Sequence, residues 1–294
     1  MAFNEDSRVK IPALLHLTRL GYTYISGKDH QLRQQETNIF SDLFIKNLTK
    51  INPGITEPKL QRHLEEITLK LDYDDLGKEF YTAIKATSGI KTIDFQNFNN
   101  NSFHVTTELT CKNGDEEFRP DITVLINGLP LIFIEVKKPN NKEGVLDERN
   151  RINRRFQNKK FKRFVNITQL MIFSNNMEYE DDVTEPVQGA YYATTAYKDL
   201  HFNYFREEEN LNLTTLLANA DDETENAILR DNNVEVLKHS PEFQTNKHYH
   251  TPTNRILTSL LSKERLAFIL NYALTYVEEE NNGKKAVQKH IMRY

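Results

Sequence analysis

Asp121, Glu135 and Lys137 stand out by where they sit, in the stretch FRPDITVLINGLPLIFIEVKKPNN, Phe118 to Asn141. Two apolar runs flank Asn127-Gly128, a dipeptide that favours a tight hairpin turn. Asp121 opens the first run; Glu135 and Lys137 close the second. Charged groups cost several kcal/mol to desolvate unless they are paired or bound to something. Two carboxylates crowded together repel each other alone and suit a divalent cation. Mg²⁺ is typically held by one or two carboxylates, with waters and a phosphate oxygen completing its shell. Such a metal lowers the pKa of a bound water and offsets charge on a phosphate under attack. A lysine beside it could orient or deprotonate the water, or balance transition-state charge. The three residues together form a set for hydrolysing a phosphodiester. The alternative is a solvated strand end, with Glu135, Lys137 and Lys138 in surface ion pairs and Asp121 capping a turn.

Strand geometry decides whether the three meet. Side chains alternate along a strand, so Glu135 and Lys137 share a face, with Ile134 and Val136 on the other. A two-residue Asn127-Gly128 loop pairs Ile126 with Leu129 and puts Asp121 opposite Ile134, on the wrong face. A three-residue loop with Gly128 as a left-handed bulge pairs Leu125 with Leu129 and puts Asp121 opposite Phe133, on the right one. The chemistry therefore predicts the odd loop, or a distortion at Arg119-Pro120 with the same effect.

The elements that would carry this hairpin are legible along the chain. Residues 5 to 20 read as a helix, with Leu14, Leu15, Leu17 and Leu20 on one side and Gly21 as its stop. Further helices are expected at Ile39 to Lys50, from Glu57-Pro58 to Leu71, and at Gly77 to Thr87. The period then changes, and strands are expected at Thr92 to Phe95, Phe103 to Cys111, Ile122 to Ile126 and Leu131 to Lys137. A charged helix from about Leu146 to Arg163 follows. Strands are expected at Gln169 to Asn176 and Gly189 to Ala196, and helices at Leu211 to Leu217, Glu223 to Arg230 and Ile256 to Glu279. Polar turns are expected at Asn140 to Gly144 and Asn281-Asn282-Gly283. The closing KKAVQKHIMRY starts a new amphipathic element. Helices, then strands, then mixed elements imply an α/β layer fold around a mixed sheet.

The 294 residues are 38% hydrophobic and 27% charged, which fits a globular protein with a sizeable core. No apolar run approaches the roughly 18 residues of a membrane span, and the N-terminus lacks the apolar stretch of a signal peptide. Cys111 is the only cysteine, which excludes an internal disulfide and a cysteine-based zinc site and fits a reducing cytoplasm. A net charge of −4 means that any polyanion must meet a local positive face. Arg149 to Arg163 offers one: eight cations in fifteen residues directly after the Lys137 strand. Lys138, Arg151, Arg154, Arg155, Lys159 and Lys160 are the candidates for contacts to DNA phosphates. The alternative is a solvated face balanced by Asp147 and Glu148, but eight cations in fifteen residues go beyond it and favour DNA contact.

The pattern Pro120-Asp121, then Glu135-Val136-Lys137, resembles the PD-(D/E)xK nuclease superfamily. Its longer context, with LLHLTRLGY near the start, TQLMIFSNN after the basic helix and KKAVQKHIMRY at the end, resembles the nuclease segment of the restriction (R) subunit of type I restriction-modification enzymes. The resemblance implies a restriction-endonuclease-like core, a mixed sheet flanked by helices. It places the endonuclease in residues 1–200, with a helical part (1–90) and a catalytic sheet (91–200), and leaves 201–294 as a linker toward an ATP-driven DNA translocase. It makes Asp121 and Glu135 ligands of Mg²⁺, with the Val136 carbonyl, and Lys137 the catalytic lysine; Glu5 is the nearest match to an acid on the first helix. It implies double-stranded DNA as substrate, methylation (M) and specificity (S) subunits as partners, and ATP used only by the motor. The Gln-x-x-x-Tyr element of many members is missing from DERNRINRRFQNKKFKRF, where either Arg151 or Arg155 replaces it or the subfamily lacks it. No Gly-x-x-x-x-Gly-Lys-Ser/Thr phosphate loop occurs, and Gly283-Lys284-Lys285 reads as a turn. A non-cleaving DNA-binding module on the same fold, or a stand-alone repair nuclease, would share most of these marks.

Two other signals read as ordinary structure. His248-x-His250 lacks a nearby third ligand. Tyr191-Tyr192, flanked by alanines, fits a sheet better than a base-stacking platform. The acidic stretch Glu207 to Asp231 fits a solvated face or a contact with the motor.

Overall fold

The computed structural model describes residues 5–139, 144–179, 188–196, 200–206, 211–281 and 284–291. Most of the Asn140 to Gly144 loop, the tip of the Asn281-Asn282-Gly283 turn, the start of the acidic stretch and the last three residues lie outside them. The chain begins with a π-turn, Asp6–Lys10, that runs into α1, Ile11–Arg19. Gly21, at φ +92°, ends it in the left-handed conformation a helix stop favours. The short strand β1, Thr23–Tyr24, is followed by α2 (Ser41–Ile51), α3 (Glu57–Leu69) and α4 (Lys78–Ile84). Leu60, Leu64 and Ile67 line the buried side of α3, as their spacing requires.

The strands then follow: β2 (Phe103–Thr107), β3 (Cys111–Asn113), β4 (Glu116–Phe118), β5 (Ile122–Ile126) and β6 (Leu129–Val136). After β6 come α5 (Gly144–Gln157), α6 (Lys162–Ile167), β7 (Leu170–Ser174), β8 (Ala190–Ala193) and β9 (Asn203–Tyr204). One sheet takes the order β1-β2-β5-β6-β7-β8-β9, with β1·β2 and β6·β7 parallel and the rest antiparallel. This is the mixed sheet flanked by helices that the sequence implied. Every residue of β6 is buried, as a central strand of such a sheet demands.

Four expected elements differ. Thr92 to Phe95 is not a strand, because side chains take its backbone groups: Asn127 donates to the Thr92 carbonyl, and Asn101 accepts from the Asp94 N–H. The strand from Phe103 stops at Thr107; Glu108 turns at φ +52°, and Cys111 opens the separate β3–β4 hairpin. The basic helix breaks after Gln157, where the Asn158 side chain accepts from Lys160 N and caps a 3₁₀ turn. The helix expected from Ile256 to Glu279 is the least like its reading. After α7 (Leu213–Leu216), α8 (Asp222–Asp231) and α9 (Pro241–Asn246), the chain forms α10 (Pro252–Leu261) and α11 (Lys263–Phe268). It then passes through a π-turn into β10, Leu274–Asn281, which pairs antiparallel with β11, Lys284–Ile291. The KKAVQKHI segment is thus the second strand of a hairpin.

Leu14 and Leu17 of α1 share one hydrophobic cluster with Ile256, Leu257 and Leu260 of α10 and with Ile132 and Ile134 of β6. The first helix and the C-terminal helices therefore close over one face of the sheet. No helix among the described residues is long and apolar enough to cross a membrane.

Candidate active site

The hairpin turn has two residues, not three. Asn127 and Gly128 both have positive φ, +51° and +79°, and Ile126 pairs with Leu129. This is the loop that by itself sends Asp121 to the wrong face. The correction lies further along β6. Val124 pairs with Ile132 and Leu125 with Pro130, so Leu131 is an extra residue, a β-bulge. Pro130 explains the position: it has no N–H for the ladder, and proline inside a sheet is confined to bulges and edges. The Leu131 carbonyl accepts instead from Gln169 N at 2.7 Å. Beyond the bulge Ile122 pairs with Ile134. Asp121 is the residue just before β5, and continuing this register one step sets it opposite Glu135, whose carboxyl it neighbours. The odd loop is not used.

The turn itself is fixed from outside. The Asn127 amide donates to Thr92 O and Asn101 Oδ1, each at 2.8 Å, and its oxygen accepts from Ser102 N. Gly128 packs against α2 so closely that a Cβ would meet the Phe40 carbonyl at 2.5 Å. The bulge register is thereby anchored at its closed end.

Asp121 Oδ2 accepts from the Val136 N–H at 2.8 Å, which aims this carboxylate across the β6 backbone toward Glu135. Glu135 is 4% exposed, and its Oε1 has no hydrogen-bond partner among the described residues. Burial holds the Glu135 pKa well above the usual carboxylate range, and the charges of Asp121 and Glu148 add to the shift. Lys137 is mostly buried on the same face. Burial works against its charge, but Asp121, Glu135, Glu148 and Glu5 outweigh it and hold the ammonium above its ordinary pKa. Glu5 reaches in from the start of the first helix: its Oε2 accepts from Lys138 N at 3.0 Å. Burial raises the Glu5 pKa, with Lys137 opposing and Asp121 reinforcing the shift.

The sequence marks the fourth acid only as a balancing charge. Glu148 of α5 is 2% exposed. Its Oε2 lies 3.5 Å from Lys137 Nζ and 3.4 Å from Arg151 Nη1, and its Oε1 lies 3.4 Å from Arg155 Nη1. The same Arg155 nitrogen is 3.7 Å from Glu135 Oε1, and the guanidinium stacks on Phe118, 4.6 Å from the ring centroid. The signal was present in the sequence: positions 148, 151 and 155 follow helical spacing and share one face. Where Gln-x-x-x-Tyr was sought, Arg151 and Arg155 stand four apart on that face.

The family model for the type I restriction enzyme R protein N terminus matches residues 2–180 of the 294. The chain belongs to that family. It is also 28% identical over 198 residues to a Methanocaldococcus jannaschii protein named as the MjaIXP type I restriction enzyme endonuclease subunit; the match covers 60% of this chain and 19% of that one. A second protein from that organism, named for MjaVIIIP, is 33% identical over 120 residues, 39% of this chain and 11% of the relative. The Haemophilus influenzae HindI endonuclease subunit is 27% identical over 159 residues, 46% of this chain and 15% of its own. The chain thus spans about a fifth or less of these relatives.

In this R-protein N-terminal chain the basic segment divides in two. Arg155 turns inward to the carboxylates. Arg163 is tied to Asp72 at 2.7 Å and to Glu36, and Lys160 pairs with Glu116 at 2.9 Å. Arg151, Arg154, Lys159 and Lys138 are exposed. His248 stacks on Tyr249 and His250 lies tilted against it, and no group of three or more potential metal ligands from His, Cys, Asp and Glu is formed among the described residues. Tyr191 and Tyr192 are buried in β8.

Proposed function

We propose that this chain is a Mg²⁺-dependent DNA endonuclease module, with Asp121 and Glu135 as metal ligands and Lys137 as the catalytic cation. The observation that carries this reading is the closeness of the Asp121 and Glu135 carboxyls at the open end of the bulged hairpin, with Glu135 Oε1 buried and without a hydrogen bond among the described residues. A buried anionic oxygen is costly unless something binds it. Two hard oxygen anions side by side suit Mg²⁺, and their repulsion is relieved by a divalent charge. The Val136 carbonyl belongs to the same proposed ligand set.

When bound, Mg²⁺ supplies Lewis acidity toward water and the scissile phosphate. The chain's own residues do the rest. The Val136 N–H fixes the rotamer of Asp121. The carboxylates around Lys137 favour its ammonium form in the metal-free site, and from there it can offer a hydrogen bond and positive charge to the phosphate. Glu5 adds negative charge at the same edge and holds the backbone at Lys138. Exposed Arg151, Arg154 and Lys159, with Lys138, hold DNA by its phosphates without reading sequence. Sequence selection then falls to separate specificity and methylation subunits, and translocation to an ATP-driven motor, in the cytoplasm.

The test is cleavage of double-stranded DNA with Mg²⁺ in a complex reconstituted with those subunits. Asp121→Asn, Glu135→Gln and Lys137→Ala should each lower cutting by about 100-fold or more while the circular dichroism spectrum stays that of wild type. A variant that cuts at the wild-type rate removes its residue from the site.

A further inference from the structure

One nitrogen of Arg155 has two acidic neighbours. Nη1 lies 3.4 Å from Glu148 Oε1 and 3.7 Å from Glu135 Oε1. Its hydrogen bond goes to Glu148, although the Glu135 oxygen is buried and has none. The arrangement leaves the costlier acceptor open with a cation in reach.

We propose that Glu148 is a positioning residue that draws Arg155 off Glu135, so that Glu135 Oε1 stays free for the divalent cation. This rests on the metal-site reading above and deepens it. Glu148 uses its two oxygens for different tasks: Oε1 holds Arg155, while Oε2 holds Lys137 and Arg151. It thus sets both cations that flank the carboxylate pair. Phe118 lies under the guanidinium and limits where it can go. Without the Glu148 charge, the acceptor within the shortest move of Arg155 Nη1 is Glu135. An Arg–carboxylate pair formed there would compete directly with a metal ion, because the guanidinium and the cation would claim the same oxygen.

The alternative role for Glu148 is purely structural or diffuse, pinning α5 or adding negative potential. A double-mutant cycle separates the two. Mn²⁺ is titrated calorimetrically into the 294-residue chain as wild type, Glu148→Gln, Arg155→Met and the double variant. Positioning requires that Glu148→Gln weaken Mn²⁺ binding by about tenfold, and that Arg155→Met restore about tenfold in that background but change wild type by less than about threefold. Equal effects of Arg155→Met in both backgrounds overturn the proposal, as does wild-type affinity in Glu148→Gln. If Glu148→Gln does not fold, Glu148→Asp takes its place: it keeps the charge but shortens the reach, so weakened binding with Arg155→Met rescue is again required. An Asp121→Asn chain that binds Mn²⁺ like wild type overturns the metal-site reading, and this proposal with it. Additivity with an intact Asp121 effect overturns the positioning role alone.

Discussion

If Glu135 is kept for metal binding, its charge should be a liability in the metal-free protein, and Glu135→Gln should stabilise it. The side chain is 4% exposed near the end of the central strand β6. Burial, then the charges of Asp121 and Glu148, push its pKa well above the ordinary 4.5, against the pull of Lys137. A carboxyl raised in this way binds its proton in the folded chain over a pH range where the unfolded chain has already released it. Stability therefore falls as pH rises from 4.5 through the folded-state pKa. Glutamine is nearly isosteric and uncharged, and its amide can donate to the Asp121 carboxylate beside it. A buried polar group left without its partner costs about 1–3 kcal/mol, so the variant should gain about that much near neutral pH. For a chain of this size the gain raises Tm by about 2–6 °C, at about 2 °C per kcal/mol.

The assay is differential scanning calorimetry with a chelator present, at several pH values between about 5 and 8, with the variant's advantage growing toward the alkaline end. Added Mn²⁺ should reverse the order. Wild type gains about 2.7 kcal/mol at a free cation concentration of about 100 Kd, and the variant gains little. A Glu135→Gln chain that melts below wild type at pH 8 in chelator refutes the reasoning. It would mean that Lys137 and Arg155 already satisfy the Glu135 charge, leaving no reason to invoke a metal.

Other expectations follow from the same structure. Lys289 of β11 is buried, donates to Thr168 O at 2.7 Å and Thr195 Oγ1 at 3.2 Å, and has its pKa pushed down by burial to about 7. The folded chain releases this proton while the unfolded one still holds it, so stability should rise from about pH 7 to 10.5, and Lys289→Met should flatten that rise in urea titrations. Gly128→Ala puts a Cβ at φ +79° and 2.5 Å from Phe40 O, and should cost about 1–3 kcal/mol in urea unfolding; a loss under about 0.5 kcal/mol would show that the turn yields freely. Replacing exposed Arg154 and Lys159 by glutamine should lower the slope of log affinity for DNA against log salt by about 0.9 per lost phosphate contact, measured by fluorescence anisotropy. An unchanged slope would remove these side chains from the DNA face.

Sequence reading worked best where one periodicity and one turn signal spoke together. Asn127-Gly128 between two apolar runs specifies the hairpin, and strand alternation places Glu135 and Lys137 on one face. It stumbled where a single residue carried the decisive fact. The parity conflict was visible, but the loop was asked to resolve it, whereas Pro130, unable to join the ladder, forces the extra residue at Leu131. Elsewhere the missing information was tertiary. Leu274 to Glu279 carries two glutamates and reads as helix, yet it becomes a strand because KKAVQKHI lies across from it and Tyr276 meets Tyr81 at 5.4 Å. Thr92 to Phe95 reads as strand, yet asparagine side chains take its backbone bonds.

Glu148 marks the deeper limit. In the chain it is one acid among many on a basic helix. It becomes particular only when the fold buries it between Lys137 and Arg155, which stand eleven residues before and seven after it. Sequence shows which charges exist and which faces they share, but burial decides which of them must be answered by a partner. At this site the answers are unequal. Asp121 is held by a backbone N–H, and Lys137 and Arg155 are held by Glu148. The Glu135 oxygen is left without a hydrogen bond, and under the proposed metal site that asymmetry is what separates an ion-pair cluster built for stability from one arranged to receive a cation.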